Sequence, residues 1–313
     1  MNPGGRHELL LSVVVPTYRR PQRLERCLAQ LARHELPDGG VEVVVVDDGS
    51  PPDEAAQVRD VVAQGPARLP VRLHRQDNAG PAGARNAGAR LARAQVLAFT
   101  DDDCTPEPSW AGALLAQVRA EPTALVGGRT RNALSGNLFA EASQDLLAGL
   151  HRARERHPQV DFFASNNIAM DRALLLSLDG FDDSFPSAAA EDRDLCERWR
   201  AAGHRLVYAQ DALVHHSHDM GLAGFWRQHS GYGRGAVRLD QVRKDRSEPA
   251  ARVEGPQFYL RLLSEPYRTG GPVHATAVAA LIALSQVATG LGYVRERRRC
   301  RPAGSGSPQR AGA

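Results

Sequence analysis

Three acidic clusters have the residue types and the spacing to act on a charged ligand. Asp101-Asp102-Asp103 follows the apolar run Val96–Thr100, Asp47-Asp48-Gly49-Ser50 follows the β-branched run Val41–Val46, and Glu191-Asp192 opens a segment of helical periodicity. In extended backbone, residues i and i+2 point the same way, so Asp101 and Asp103 are expected to converge on one point. Convergent carboxylates repel unless a cation lies between them, and hard oxygen ligands suit Mg²⁺ or Mn²⁺. An acidic turn into the next helix accounts for the same residues, and Pro106 and Pro108 fit such a turn. At Asp47-Asp48 a carboxylate can accept hydrogen bonds from a nucleobase N–H or ribose hydroxyls, or close an Asx-turn. In the first turn of a helix, Glu191 and Asp192 would feel positive partial charge and stay ionised. That state suits a general base and equally suits simple capping.

Other residue groups add to this chemistry. Asn78-Ala79-Gly80-Pro81-Ala82-Gly83-Ala84-Arg85-Asn86-Ala87-Gly88 has small residues that let a helix approach a sheet, and one Arg able to meet a diphosphate. It lacks G-x-G-x-x-G spacing, and the chain has no G-x-x-x-x-G-K-[ST], which argues against a dinucleotide dehydrogenase and a P-loop NTPase. In Ala212-Leu213-Val214-His215-His216-Ser217-His218, strand alternation puts Ala212, Val214 and His216 on one face. His216 is thus either a metal or phosphate ligand or a polar residue at the rim of a site. Trp226 and Tyr232 offer flat faces to a sugar or anchor a helix, with Arg227 and Arg234 beside them for a phosphate.

The elements between these residues form a series. Leu24, Cys27, Leu28 and Leu31 mark an amphipathic helix after Pro21, and Leu9–Val15 reads as a strand stopped by Pro16. With strands at Val41–Val46, Val71–His74 and Val96–Thr100 and helices near 53–62 and 82–94, the pattern is βαβαβαβ. Such alternation predicts an α/β fold with a mostly parallel sheet, whose ligands bind beyond the carboxyl ends of the strands. The clusters at Asp47-Asp48 and Asp101–Asp103 sit at those ends.

The 313 residues allow one large domain with an extension, or two domains. Lys+Arg 39 against Asp+Glu 36 leaves a net charge of only +3, which does not signal a nucleic-acid partner. Four cysteines without a Cys-x-x-Cys argue against a zinc site or a disulfide framework and for a reducing, cytoplasmic compartment. Residues 1–8 are read as a flexible N-terminus without secretory character, 9–218 as the catalytic domain, 219–300 as a helical extension and 301–313 as a disordered tail. Within the extension, Ala275–Val294 is apolar, about as long as the ~20 residues that cross a bilayer, and runs into Arg295-Glu296-Arg297-Arg298-Arg299. It is either a helix packed on the catalytic domain or a membrane-associated helix with its arginines at anionic headgroups, on the cytoplasmic face.

Further stretches complete an ordered set: Val14-Val15-Pro16-Thr17-Tyr18-Arg19-Arg20, Asn166-Asn167-Ile168-Ala169-Met170, Gly180-Phe181-Asp182 and Glu191-Asp192-Arg193-Asp194-Leu195. With the acidic and Asn78–Gly88 stretches in their places, residues 9–218 resemble the inverting glycosyltransferases of family 2, of the rhamnosyltransferase-like and polysaccharide types. The resemblance implies the GT-A fold, a Rossmann-like, mostly parallel sheet flanked by helices, here with a C-terminal helical extension. It implies a nucleotide-diphosphate sugar donor, Mn²⁺ or Mg²⁺ on the diphosphate, and a glycan, lipid-linked or cell-surface acceptor. By the same resemblance Pro16 and Tyr18 border the nucleoside, Asp48 binds base or ribose, and Arg85 lies near the donor phosphates. Asp103 contacts the metal, Asp101 the ribose or a metal-bound water, and Asp102 belongs to the donor side. His216 corresponds to a metal ligand of some relatives. Asp192 is the general base, with Glu191 and Trp226 on the acceptor side. Two rival classes share these features: a nucleotidyltransferase of sugar phosphates, and a non-catalytic nucleotide-sugar or glycan binder.

Overall fold

In the computed structural model, residues 9–36, 40–134, 136–155, 162–185, 189–249, 255–268 and 271–300 are described. Strand and helix alternate as β1 (Leu11–Thr17), α1 (Pro21–Leu31), β2 (Val41–Asp48), α2 (Pro52–Ala63), β3 (Val71–Gln76), α3 (Gly80–Leu91) and β4 (Val96–Thr100). Then come β5 (Cys104–Pro106), α4 (Trp110–Ala120), β6 (Leu125–Asn132), α5 (Leu138–Glu155), β7 (Asn167–Asp171), α6 (Arg172–Ser177), α7 (Glu191–Ala201) and β8 (Leu206–His216). The described residues end in α8 (Leu222–Asp245), α9 (Pro256–Ser264), a 3-10 turn at Glu265–Arg268 and α10 (Pro272–Arg299). The termini assigned above to a flexible segment and a disordered tail lie outside the described residues.

The eight strands make one sheet in the order β3-β2-β1-β4-β7-β6-β8-β5. Its first half is parallel throughout, as the alternation predicts, whereas β7 and β5 run antiparallel to their neighbours. Side-chain alternation decides which face each apolar residue fills. Val13, Val15, Val43 and Val45 join Leu24, Leu28 and Leu114 on one face, while Val44 and Val46 pack on Ala84 and Ala87 of α3 on the other. α3 lies so close to the sheet that a Cβ on Gly88 would stand 2.3 Å from a Val14 methyl. β1 continues past Pro16 to Thr17, contrary to the expected stop. Its ladder to β4 has already ended at Val14, so the missing proline N–H breaks no pairing there.

α10 is packed on α8 along one face. A Cβ on Gly233 would come within 2.0 Å of the Thr289 carbonyl, and one on Gly292 within 2.2 Å of the Ser230 carbonyl, so these glycines let the two backbones touch. Ala142 and Met220 share a core with Phe225, Leu262, Val278 and Ile282, which fixes the closing helices to α5. The apolar segment Ala275–Val294 is therefore buried on one face within the protein, as the packed-helix reading expects. Its other face is exposed at Val273, Ala280, Val287 and Val294, positions seven apart.

Candidate active site

Pro16, Tyr18, Asp48, Arg85, the Asp101–Asp103 turn, Glu191, Asp192 and His216 all line one cavity of about 870 Å³. The strand ends of β1, β2 and β4 supply one wall, and the N-terminus of α7 faces them. Trp226 lies outside this lining and is corrected as an acceptor residue. α8 turns Gln228, Tyr232, Ala236 and Leu239 to the cavity, and at 100° per residue Trp226 falls on the opposite arc.

The two members of Asp47-Asp48 divide their labour. Asp47 closes an Asx-turn, its Oδ1 accepting from the Ser50 N–H at 3.0 Å. Asp48 faces the cavity, with Oδ1 accepting from Gln76 Nε2 at 2.8 Å and the Ala79 N–H at 2.9 Å. These contacts aim the carboxylate and fix the start of α3. Gly49 completes the turn at φ +79, against the Asn78 backbone, where a side chain would be strained.

Asp101 and Asp103 do not converge, which corrects the expected pair of metal-facing carboxylates. The chain leaves extended geometry after Thr100: the Cys104 N–H donates to the Asp101 carbonyl at 3.0 Å, a turn that sends the two side chains apart. Asp101 instead accepts from Arg85 at 2.7 Å. Asp102 accepts from the Thr17 hydroxyl at 2.8 Å and lies 3.4 Å from Arg20. Burial and the Asp103 charge push its pKa up to about 7. Its carboxyl thus ties the first loop to the turn. Asp103 meets His216 Nε2 at 3.2 Å, Arg23 at 3.1 Å and Arg20 at 3.4 Å. Burial alone would raise the Asp103 pKa, but His216 and Arg20 hold it down to about 2. Conversely, Asp103 raises His216 against the effect of burial.

Among the described residues, the ligand atoms of Asp103, Cys104 and His216 lie within 4.8 Å of one another, and Asp101 is not in the group. The Cys104 thiol, whose pKa burial raises well above its ordinary value, is a soft sulfur donor that does not suit Mg²⁺ or Mn²⁺. A carboxylate beside an imidazole suits a hard or borderline divalent ion, which would take the place of the proton on His216. The donor set fits Mn²⁺ or Mg²⁺.

On the opposite wall, Arg85 spans the site. Its Nη2 reaches Asp101 and its Nη1 lies 3.4 Å from Glu191, which is 3% exposed. Buried and flanked by two acids, Arg85 bridges the strand end to α7, a structural tie that the sequence alone did not disclose. Burial, reinforced by Asp192, raises the Glu191 pKa to about 7. Burial also raises that of Asp192, whose Oδ1 accepts from the Arg193 N–H at 2.8 Å. The helix-terminus argument expected a carboxylate ionised without opposition; desolvation opposes it here.

Asn166 and His218 also line the cavity, and neither was assigned a role from sequence. Asn166 Oδ1 is buried without a partner. Burial and the His216 charge push the His218 pKa down to about 4, leaving it a neutral imidazole. The signal for Asn166 was present in its motif, but nothing in a sequence separates it from Asn167. Asn167 is structural: it accepts from Trp110 Nε1 and donates to the Arg129 and Ala212 carbonyls.

A model described as glycosyl transferase family 2 matches residues 12–178. The chain is 30% identical over 253 residues to the pre-mycofactocin glycosyltransferase of Mycobacterium tuberculosis, covering 79% of this chain and 51% of that protein. It is 30% identical over 247 residues to the validoxylamine A glucosyltransferase of Streptomyces hygroscopicus subsp. limoneus, covering 67% of this chain and 52% of that protein. The chain thus spans about half the length of these curated relatives. Among solved structures it is similar to a mannosyltransferase from Pyrobaculum calidifontis in complex with GDP-Man and Mn²⁺. That match has a TM-score of 0.61 and 22% identity, covering 93% of this chain and 79% of that one.

Proposed function

Because the chain belongs to glycosyl transferase family 2, we propose that it is an inverting glycosyltransferase that moves a sugar from a nucleotide-diphosphate donor to an acceptor hydroxyl. Its fold is the GT-A fold expected from the sequence. The observation that carries the reading is that Asp48 at the end of β2, Asp103 in the turn between β4 and β5, and Asp192 in α7 line one cavity. Asp48 and Tyr18 receive the nucleoside, and Arg20 and Arg23, already drawn to Asp103, supply positive charge for a diphosphate. A divalent cation, when bound at Asp103 and His216, supplies further charge for the departing diphosphate. Asp192 accepts the proton of the acceptor hydroxyl, whose oxygen attacks the anomeric carbon from the face opposite the phosphate. One displacement inverts that centre and leaves no covalent enzyme intermediate. Arg85 holds Glu191 beside the base and keeps Asp101 from the cation site.

Incubation with a panel of nucleotide sugars, Mn²⁺ and a mixed glycan and lipid-linked acceptor pool should release a nucleoside diphosphate. Chelation with EDTA should stop the release, and added Mn²⁺ should restore it. Release of pyrophosphate would identify a nucleotidyltransferase instead, and donor binding without turnover would identify a binding module.

The exposed stripe Val273, Ala280, Val287 and Val294, ending at Arg295 and Arg297–Arg299, supports a helix that lies on an anionic bilayer rather than through it. The opposite face of α10 is already occupied by α8. We place the protein in the cytoplasm, at the inner membrane surface. It should sediment with phosphatidylglycerol-containing vesicles and not with phosphatidylcholine alone. Arg297→Gln, Arg298→Gln and Arg299→Gln together should weaken that binding by about 1 kcal/mol per charge; equal binding to both vesicle types would refute the placement.

A further inference from the structure

The segment from Phe162 to Asn166 connects the two walls of the cavity. At its start, the Arg193 guanidinium lies over the Phe162 ring, 4.3 Å from the centroid, and the Phe163 N–H donates to Cys196 Sγ at 3.4 Å. Both residues are thus held against α7. At its other end, Asn167 pairs with Thr100 in the ladder between β7 and β4. Asn166 and Asp101 come next on their strands, at the same end of the sheet. Phe162, Ala164, Ser165 and Asn166 all line the cavity. The segment therefore links the wall that carries Asp192 to the wall that carries Asp101 and Asp103.

Two polar side chains of this segment have hydrogen bonds left to make. Asn166 is 7% exposed, and its Oδ1 is buried without a partner. Its Nδ2 meets no acceptor among the described residues either, so turning the amide over leaves it as unsatisfied as before. Ser165 is equally buried, and its hydroxyl has no partner among the described residues. The neighbouring Asn167 shows the contrast, with its amide bonded to Trp110 and to the Arg129 and Ala212 carbonyls. A buried amide without a partner is costly, and in a native structure it points to something that completes it.

Position decides which part of a ligand that is. In an in-line displacement the phosphate and the base stand on opposite sides of the anomeric carbon. The transferred sugar then lies between the Asp103 turn and Asp192, beside the segment that joins them. A neutral amide offers both a donor and an acceptor, which suits a sugar hydroxyl and does nothing for phosphate charge. We infer that Asn166, with Ser165, holds the hydroxyls of the donor's sugar and so sets which nucleotide sugar is used. This deepens the transferase reading and rests on it for the order phosphate, sugar, base.

Calorimetric titration of the full chain in Mn²⁺ with UDP-glucose, UDP-galactose, dTDP-rhamnose and GDP-mannose, and with UDP, dTDP and GDP alone, separates sugar from nucleotide. Asn166→Leu keeps the size of the side chain and removes both polar atoms. It should weaken the best-bound nucleotide sugar by about three- to tenfold, the scale of one hydrogen bond. The matching bare diphosphate should weaken by less than about twofold, because it makes no such bond. Any preference between UDP-glucose and UDP-galactose should narrow. The melting temperature without ligand should hold or rise, since the native amide is unpaired there. Asn166→Ser, which cannot overfill the site, should give the same split between sugar and diphosphate. Equal weakening of nucleotide sugar and diphosphate, weakening of neither, or a fall in melting temperature in both variants would overturn the assignment. A wild-type chain that binds none of these nucleotides would end the transferase reading and this contact together. Wild-type binding that both variants leave unchanged would end the sugar contact alone.

Discussion

Asp192→Asn should lower sugar transfer by about 10²–10⁴-fold, the usual contribution of a positioned general base, while leaving donor affinity near wild type. The substitution keeps the shape of the side chain and the acceptor oxygen that meets the Arg193 N–H, so α7 should remain in place. Nucleoside diphosphate release at saturating donor and acceptor measures the loss, and donor-induced thermal stabilisation measures the retained affinity. The pH profile gives an independent sign. Burial raises the Asp192 pKa, and Glu191 titrates near 7 because it is buried beside Asp192. A base must be unprotonated, so wild-type transfer should climb as pH rises through the raised Asp192 pKa and flatten above it. Glu191→Gln removes a neighbouring negative charge, which lowers the cost of ionising Asp192 and should move the acid limb to lower pH. Transfer retained by Asp192→Asn, or an acid limb that moves upward in Glu191→Gln, would assign the base elsewhere.

The parts of this site that were legible in the sequence are those whose position follows from where a strand ends. β2 and β4 are short apolar runs bounded by acids, and a parallel sheet puts such boundaries at one edge. Asp48 and Asp103 were therefore findable. Side-chain direction inside a turn was not: a single Asp101–Cys104 hydrogen bond rotates Asp101 away from Asp103 and onto Arg85. Arg85 looked like a phosphate ligand because an arginine among small residues near a strand end suits one. Its two acidic partners come from residues 16 and 106 positions away, contacts that local pattern cannot show. The closing helices were harder still. Periodicity identifies α8 as a helix but does not say which arc meets the cavity, and aromatic type drew attention to Trp226 when the arc holding Gln228 and Tyr232 faces inward. The antiparallel β7 and β5 were missed for a related reason: β5 has only three residues, and the direction of both is set by partners distant in sequence.

The same distant contacts explain why the closing helices matter to the chemistry, and they lead to the largest expected loss of stability. Asp194→Ala should destabilise the protein by roughly 3–5 kcal/mol, the cost of removing one partner from a buried charge pair. Asp194 is fully buried in the first turn of α7, two residues after the proposed base. Its carboxylate accepts from Arg198 Nε at 2.8 Å and also from Arg246, just beyond the end of α8. Arg198 donates in turn to the Leu178 and Gly180 carbonyls. One carboxylate thus joins α7, the turn after α6 and the far end of α8. Alanine leaves two guanidinium groups, each at most a quarter exposed, without that anion. Urea unfolding should show the loss in the transition midpoint, and the melting temperature should fall by roughly 10 °C. Asp194→Asn keeps an acceptor oxygen and should lose less than alanine does. A loss under about 1 kcal/mol for Asp194→Ala, the range of exposed ion pairs, would mean that packing alone holds α7 against α8. In that case the placement of Asp192 opposite Asp48 and Asp103 would rest on the apolar contacts of Leu195 and Trp199.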